Sequence, residues 1–423
     1  MYPSPTTGHS PWSVFLIFLR LGLTSFGGPV AHLGFFRQEF VVQRQWLDER
    51  RYADLVALCQ FLPGPASSQV GMAVGLLRAG YLGALAAWLG FTLPSALLML
   101  FFAVGLSHFG NALPAGLLHG LHVVAVAVVA QAVWGMARSL CPDRWRASLM
   151  ALTAGVILLW PVAWIQISLI GVAGLVGLML LPRLQQDEAA SKARPAVDIA
   201  PGRTSPDSTT QLRSLLWLAV FAILLMGLPL LAKLSGWVPL QWFAAFFRTG
   251  SLVFGGGHVV LPLLESEVVH SGWVNADTFL AGYGLAQAVP GPLFTFAAFL
   301  GASLDDAANI PGTGTVTAAL LGGVWCLLAI FLPSFLLVAG ALPFWEQLRQ
   351  QRRVQAALAG VNAAVVGLLL AALYQPVWKN AILSPQDAAL GLLAFIALMF
   401  WKLPPWLVVI LCGLGGWGMR GLM

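Results

Sequence analysis

Two arginines lie inside long apolar stretches, and they are the residues of this chain with the most chemical reach. Arg20 and Arg248 each carry a permanent charge on a planar fork of N–H donors, a geometry that grips a carboxylate or a tetrahedral oxyanion. A charged side chain within lipid costs about 3 kcal/mol or more, so each needs a counter-ion, a water-filled cavity or a ligand. Their surroundings repeat. F-L-R-L-G-L-T-S-F-G-G-P runs from Phe18 to Pro29, and F-F-R-T-G-S-L-V-F-G-G-G from Phe246 to Gly257. Leu33 then falls on Leu261 and Glu39 on Glu267. With a shift of one residue, Trp46 falls on Trp273, Gln60 on Gln287, and Pro63-Gly64-Pro65 on Pro290-Gly291-Pro292. Such Gly/Pro-broken apolar segments, present twice, mark a transporter built from structural repeats.

The breaks have a chemistry of their own. Glycine frees the backbone and proline removes a donor, so the turns Gly27-Gly28-Pro29 and Gly255-Gly256 interrupt their helices, and the Pro-Gly-Pro strings do so again. An interrupted helix presents unpaired N–H groups at a positive dipole end, which suits an anion. Close packing of small residues between membrane helices is the competing explanation. Thr24, Ser25, Ser251, Gln60, Gln287 and Asn362 offer hydrogen bonds to tetrahedral oxygens, or serve as ordinary polar packing groups. The substrate-binding set expected is these six with Arg20, Arg248, Gly27, Gly28, Pro29, Pro63, Gly64, Pro65, Gly255, Gly256, Pro290, Gly291 and Pro292. Opposed across an inverted repeat, the two arginines would present two charges to one dianion. The bland alternative has each arginine snorkelling or pairing with Glu39 or Glu267. His32, His258, Glu39 and Glu267 are the candidates for carrying a coupling proton, set against a role in neutralising basic neighbours.

The elements that must hold these residues are membrane helices. Hydrophobic residues make up 59% of the chain and charged residues 9%, with 17 Trp placed largely near segment ends. Mean hydropathy is +0.83. Unpaired backbone is prohibitive in lipid, so the long apolar runs are expected to be helices in an all-α polytopic integral membrane protein. Spanning runs fall near 12–34, 53–77, 81–107, 116–137, 147–160 and 162–182, then 213–233, 240–262, 278–303, 314–341, 355–375, 388–402 and 404–420. About thirteen helices follow, organised as a first repeat over 12–182, a polar linker over 183–212, and an extra helix plus second repeat over 213–420. The odd displacement between the copies makes them an inverted-topology pair. A cytoplasmic N-terminus satisfies most of the Lys/Arg loop bias but leaves Arg37, Arg44, Arg50 and Arg51 outside. Either that stretch is a mixed-charge interfacial helix or the segment holding Pro63-Gly64-Pro65 is re-entrant. The polar start, Met1 to Ser10, lacks the basic region and cleavage site of a signal peptide. Cys59, Cys141, Cys326 and Cys412 have no paired spacing and read as small hydrophobes. No phosphate-binding loop, haem-attachment string or zinc-ligand spacing is present, so no cofactor, metal or enzymatic activity is expected. The net charge of +6 suits an anionic substrate.

With these residues in view the chain resembles the chromate ion transporter family. The resemblance rests on Phe18 to His32, on Q-F-L-P-G-P from Gln60 to Pro65, on Phe247 to Pro262, and on G-L-A-Q-A-V-P-G-P from Gly284 to Pro292. It implies a fused duplicate with oppositely oriented halves in the bacterial inner membrane, exporting chromate at the expense of membrane energy and conferring chromate resistance. It also implies functional weight at Arg20, Gly27, Gly28, Pro29, Pro63, Gly64 and Pro65, and at Arg248, Gly255, Gly256, Pro290, Gly291 and Pro292. Gly257 stands where Pro29 stands in the first copy, so the two breaks differ. The partners expected are a chromate- or sulfate-like dianion and the lipid bilayer, with a homodimer left open and no nucleic acid. A sulfate or general oxyanion carrier and a passive anion channel are the alternatives.

Overall fold

A computed structural model of the chain describes residues 10–109, 114–160, 163–191, 208–304, 314–345 and 351–421. No strand occurs among them. The first half comprises α1 (Pro11–Thr24), α2 (Gly28–Arg37, prolonged by a π turn Gln38–Gln43), α3 (Glu49–Phe61), α4 (Ala66–Phe109), α5 (Ala115–Leu140), α6 (Arg144–Leu159) and α7 (Ala163–Ser191). Next come α8 (Ser208–Ser235), α9 (Val238–Leu252), α10 (Val260–Val268), α11 (Ala276–Ala288), α12 (Phe296–Ala302) and α13 (Thr315–Ala341). The chain closes with α14 (Arg352–Ala372), α15 (Pro385–Met399) and α16 (Pro405–Gly421). Among the described residues, five helices are long and apolar enough to cross a membrane, so the protein is a multi-pass membrane protein. Of the linker expected over 183–212, residues 192–207 lie outside the described residues, whereas 183–191 continue α7 and 208–212 open α8.

Four apolar runs that read as single crossings are each two helices lying side by side. In the run 12–34 the chain turns at residues 25–27, and the Phe18 ring packs on Phe36 and Phe40 at 5.6 and 5.2 Å. The run 53–77 turns at Pro63-Gly64-Pro65, which brings Arg78 at the end of its second limb back to donate to Trp46 O just before α3. In the second half, α9 and α10 fold back around residues 253–256, so that Arg248 reaches Glu267. Helices α11 and α12 fold back around Pro290-Gly291-Pro292, with the Phe279 and Phe296 rings 5.2 Å apart. The backbone explains the turns. Gly64 and Gly291 sit at φ 123° and 96°, where any side chain would be strained, and the flanking prolines withdraw N–H donors.

Helix α4 is a second kind of composite. Ala79 and Gly80 leave helical geometry at its kink, and Gly75 and Gly83 then pack so closely that a Cβ on either would strike the other's carbonyl. A short limb (66–78) thus lies against a long one (81–109). The long limb carries α1 in its groove: a Cβ on Gly22 would stand 2.7 Å from Phe91 O. Gly250 of α9 packs on Ile330 O of α13 in the same way.

Beyond the hairpins the two halves exchange partners. Helix α5 of the first half packs on α15 and α16 of the second, while α14 of the second packs on α6 and α7 of the first. Small residues permit both contacts. Gly120 lies against Cys412 O and Gly360 against Ala173 O, each too close for any Cβ. Gly120→Leu and Gly360→Leu are therefore expected to destabilise the protein by about 3 kcal/mol each. Thermal unfolding in detergent measures this, with Gly418→Leu, which meets nothing within 4 Å, as the unchanged control.

Candidate functional site

The four hairpin tips converge. Gly64 N–H donates to Val253 O at 2.7 Å, and Gly291 N–H donates to Ser25 O at 2.9 Å. Ser25 and Val253 occupy matching places in the two repeats, as do Gly64 and Gly291, so the two bonds are one contact made twice. Each joins the second tip of one half to the first tip of the other. Further matched pairs surround them. A Cβ on Gly64 would stand 2.7 Å from Ser334 Oγ, and one on Gly291 would stand 2.8 Å from Ser95 Oγ. Pro29 meets its own counterpart, with Pro29 Cγ 3.3 Å from where Gly257 would carry a Cβ. The proline ring already fills the space between the two copies, which accounts for glycine at the second.

Helix starts lie beside this junction without side-chain caps. Gly27 precedes α2, Gly256 precedes the 3₁₀ turn into α10, and Pro292 precedes the 3₁₀ turn into α12; none supplies a capping side chain. Their free N–H groups and dipole ends make the junction electropositive with no formal charge. Asn362 of α14 reaches it too, its Oδ1 lying 3.3 Å from the Cβ position of Gly255.

The arginines are elsewhere, in the legs of the hairpins. Arg20 Nη2 donates to Glu39 Oε2 at 2.6 Å, and Arg44 Nε donates to Glu39 Oε1 at 2.7 Å. Arg248 makes a two-point contact with Glu267, at 2.8 Å through Nε and 2.5 Å through Nη2. Glu39 is buried at 3% exposure, whereas the Arg20 side chain is 61% exposed. Each pair therefore clasps one leg of a hairpin to the other, the pairing alternative read from the sequence.

The remaining expected residues divide by position. Ser25 is buried at the junction, and Pro63 O accepts from Gln69 Nε2 at 2.7 Å. Pro65, Pro290 and Pro292 build the turns, and Pro292 O accepts from Thr295 Oγ1 at 2.9 Å. Gln287 approaches the α11 tip with a buried Nε2 that has no partner within the protein. Gly28 opens α2 at φ 77°. Thr24 and Ser251 instead donate back to Arg20 O and Phe247 O of their own helices, each at 2.8 Å, and Gln60 is exposed. His32 Nδ1 lies 3.4 Å from Ser67 Oγ, and His258 Nδ1 lies 2.9 Å from Tyr283 Oη.

Several polar residues escaped the sequence reading. Ser95 and Ser334 end the strings T-L-P-S and F-L-P-S, a further repeat that was there to be found. His119 Nε2 stands 2.7 Å from Asp387 Oδ1, joining α5 to α15 beside a cavity of about 440 Å³ that His122 and Asn380 also line. Glu265 is buried beside a second cavity of about 220 Å³ with Gln166, His270 and Lys379. For the residues at the two cavities, the pair His119 and His122, three apart on an apolar helix, was the signal in the sequence.

A family model described as chromate transporter matches residues 12–178 and again 240–417, one match per repeat. The chain belongs to the chromate transporter family. Within that family it is similar to a chromate transport protein of Pseudomonas aeruginosa, 30% identical over 419 residues, which cover 96% of this chain and 91% of that protein. It is also similar to a chromate transport protein of Cupriavidus metallidurans, 26% identical over 393 residues, covering 92% and 87%. An uncharacterized transporter of Bacillus subtilis, YwrB, is 31% identical over 173 residues, which cover 40% of this chain but 81% of that protein. No solved structure matches the chain. For this member of the chromate transporter family the hairpin clasp makes a measurable demand. Glu267→Gln strands Arg248 and is expected to cost about 3 kcal/mol in thermal unfolding, and the exchange Arg248→Glu with Glu267→Arg should recover most of it.

Proposed function

We propose that this protein is a secondary transporter that carries chromate out of the cytoplasm, binding the oxyanion where the four hairpin tips meet. The observation that carries this is the reciprocal pair of tip contacts, Gly64 to Val253 and Gly291 to Ser25, which gathers uncapped helix starts from both repeats at one place. Interrupted helices meeting at a repeat interface are where transporters of this construction hold ions. The names of the similar proteins supply the substrate. Gly27, Gly28, Gly255, Gly256, Gly64 and Gly291 give the backbone its close approach to the oxyanion, while Ser25, Gln287 and Asn362 supply side-chain contacts. Arg20 and Arg248 hold the hairpins shut through Glu39 and Glu267, and so act on the substrate site by positioning it.

The fold-backs also suggest a topology of nine crossings: the long limb of α4, then α5, α6, α7 and α8, then α13 to α16. Five crossings separate matching elements, so the halves are inverted. The four hairpins then enter from their own faces, those of the first repeat from the cytoplasm and those of the second from outside. Charge agrees with this arrangement. Of the 22 Lys and Arg, Arg20 and Arg248 lie in hairpin legs, and Lys233, Lys379 and Arg420 fall on the outer face. All others, including Arg37, Arg44, Arg50 and Arg51, share the inner face with the N-terminus. Inward charge bias of this kind fits the inner membrane of a bacterium.

An outward-moving dianion gains about 4.6 kcal/mol per 100 mV of an inside-negative potential. Export by that force asks nothing of a titrating residue, in keeping with Glu39 and Glu267 both being held in ion pairs.

Uptake of labelled chromate and of labelled sulfate into everted vesicles energised with a respiratory substrate tests the function. Chromate should accumulate, abolition of the potential should stop it, and Gly64→Val or Gly291→Val should reduce it at least tenfold. Sulfate accumulation without chromate preference would make the protein a general oxyanion carrier, and unenergised equilibration would make it a channel. Topology has a separate check in a background with the four native cysteines replaced. An impermeant maleimide should label Arg51→Cys only in everted vesicles and Ser271→Cys only in intact cells.

A further inference from the structure

The junction is symmetric in its backbone and asymmetric in its side chains. Ser25 Oγ, Ser68 Oγ, Gln69 Oε1 and Thr92 Oγ1 are buried and have no hydrogen-bond partner within the protein, and His32 Nε2 beside them has none beyond an interaction of its ring with the Ser25 backbone. None of the five residues exceeds 2% exposure. All belong to the first repeat. They stand on the α1 tip, on α2, at the start of α4 and on its long limb. Contacts tie them to one neighbourhood: His32 Nδ1 lies 3.4 Å from Ser67 Oγ, and its ring packs at 5.2 Å on Phe91, next to Thr92. Gly291, which donates to Ser25 O, also lies against Phe91 O and Ser95.

The matching positions of the second repeat are nearly all apolar. The arginine register puts Val253 where Ser25 is and Val260 where His32 is, and the Pro-Gly-Pro register puts Phe296 where Gln69 is. The T-L-P-S and F-L-P-S strings put Phe331 where Thr92 is, a register that the packing of Gly22 on Phe91 O and of Gly250 on Ile330 O repeats in space. Thr295, the counterpart of Ser68, spends its hydroxyl on Pro292 O. Phe296 and Phe331 fill their side with rings: Phe296 lies 5.8 Å from Tyr283, and Phe331 lies 5.6 Å from Trp88. At these five places the second repeat is packed and the first carries unspent polar atoms; the second repeat's own unpartnered groups, among them Thr249 Oγ1, Gln287 Nε2 and Trp242 Nε1, stand at other positions.

Leaving one such buried group unpaired is costly, and five gathered in one repeat mark a place where a polar ligand would find partners. Three hydroxyls and an imidazole N–H are donors suited to the oxygens of a tetrahedral dianion. We infer that the transported oxyanion binds off the pseudo-symmetry axis, mainly within the first repeat, on neutral donors from Ser25, His32, Ser68 and Thr92, while the second repeat adds only Gln287 and Asn362 and is apolar at the matching positions. This rests on the transport function proposed above and specifies its site. A neutral donor set also lets the ion leave without breaking an ion pair.

Equilibrium binding of labelled chromate and labelled sulfate to the purified protein in lipid nanodiscs tests the inference apart from transport. Ser25→Ala, Ser68→Ala and Thr92→Val each remove a donor with little change of volume, and each is expected to raise Kd roughly ten- to a hundredfold. Thr295→Val, at the matching place in the other repeat, should move Kd less than about threefold. Thermal unfolding of each variant separates lost binding from lost fold. Kd within twofold of wild type in all three first-repeat variants, or equal losses in Thr295→Val, would overturn the asymmetric site and leave the transporter standing. Wild-type protein that binds neither anion would overturn both.

Discussion

Everything in this structure depends on how the backbone at four broken helices finds hydrogen bonds in a place without bulk water. A hairpin tip buried in a membrane protein has N–H and C=O groups that its own helices cannot satisfy. Here the satisfaction comes from the opposite repeat: Gly64 from the first half donates to Val253 of the second, and Gly291 of the second donates to Ser25 of the first. Neither half is complete without the other. The glycines are required at the donor positions because only they reach φ 123° and 96° without strain while leaving room for Ser334 and Ser95.

That junction needs hairpins of fixed shape, and the ion pairs provide it. Arg248 and Glu267 make a two-point contact across α9 and α10, and Arg20 and Arg44 share Glu39 across α1 and α2. An arginine fork and a carboxylate partly withdrawn from water fix both distance and orientation, which a contact between aliphatic side chains does not. Strength is the smaller part of the contribution, since desolvation offsets much of the attraction. The exchange of α5 and α14 between halves adds a second constraint. Each repeat's later helices pack on the other's, so the hairpins are framed from both sides by helices of mixed origin.

The asymmetry within this frame is where a site can live. Two identical halves would present equal walls to a single ion on their axis. Replacing Ser25, His32, Gln69 and Thr92 of one copy by Val253, Val260, Phe296 and Phe331 in the other packs these four positions in one half and leaves them polar in the other. Pro29 facing Gly257 does the same for shape, one copy filling what the other leaves open.

The sequence was enough to establish a helical membrane protein built of two copies, because hydropathy and the matched strings around Arg20 and Arg248 depend only on order along the chain. It located the breaks, because glycine and proline act on their own backbone. It also raised the pairing of Arg20 with Glu39, but could not choose between that and an anion clamp, since both partners lie far apart along the chain and only the fold-back brings them together. The fold-back was legible only as the re-entrant alternative for the Pro63-Gly64-Pro65 segment: an apolar run such as 12–34 has the length of one crossing whether it runs straight or doubles over. Which tip meets which, which helices exchange between halves, and which polar atoms find no partner were decided by tertiary structure alone. These are contacts between faces, and a face is set by the rotation and approach of whole helices, which residue order leaves free.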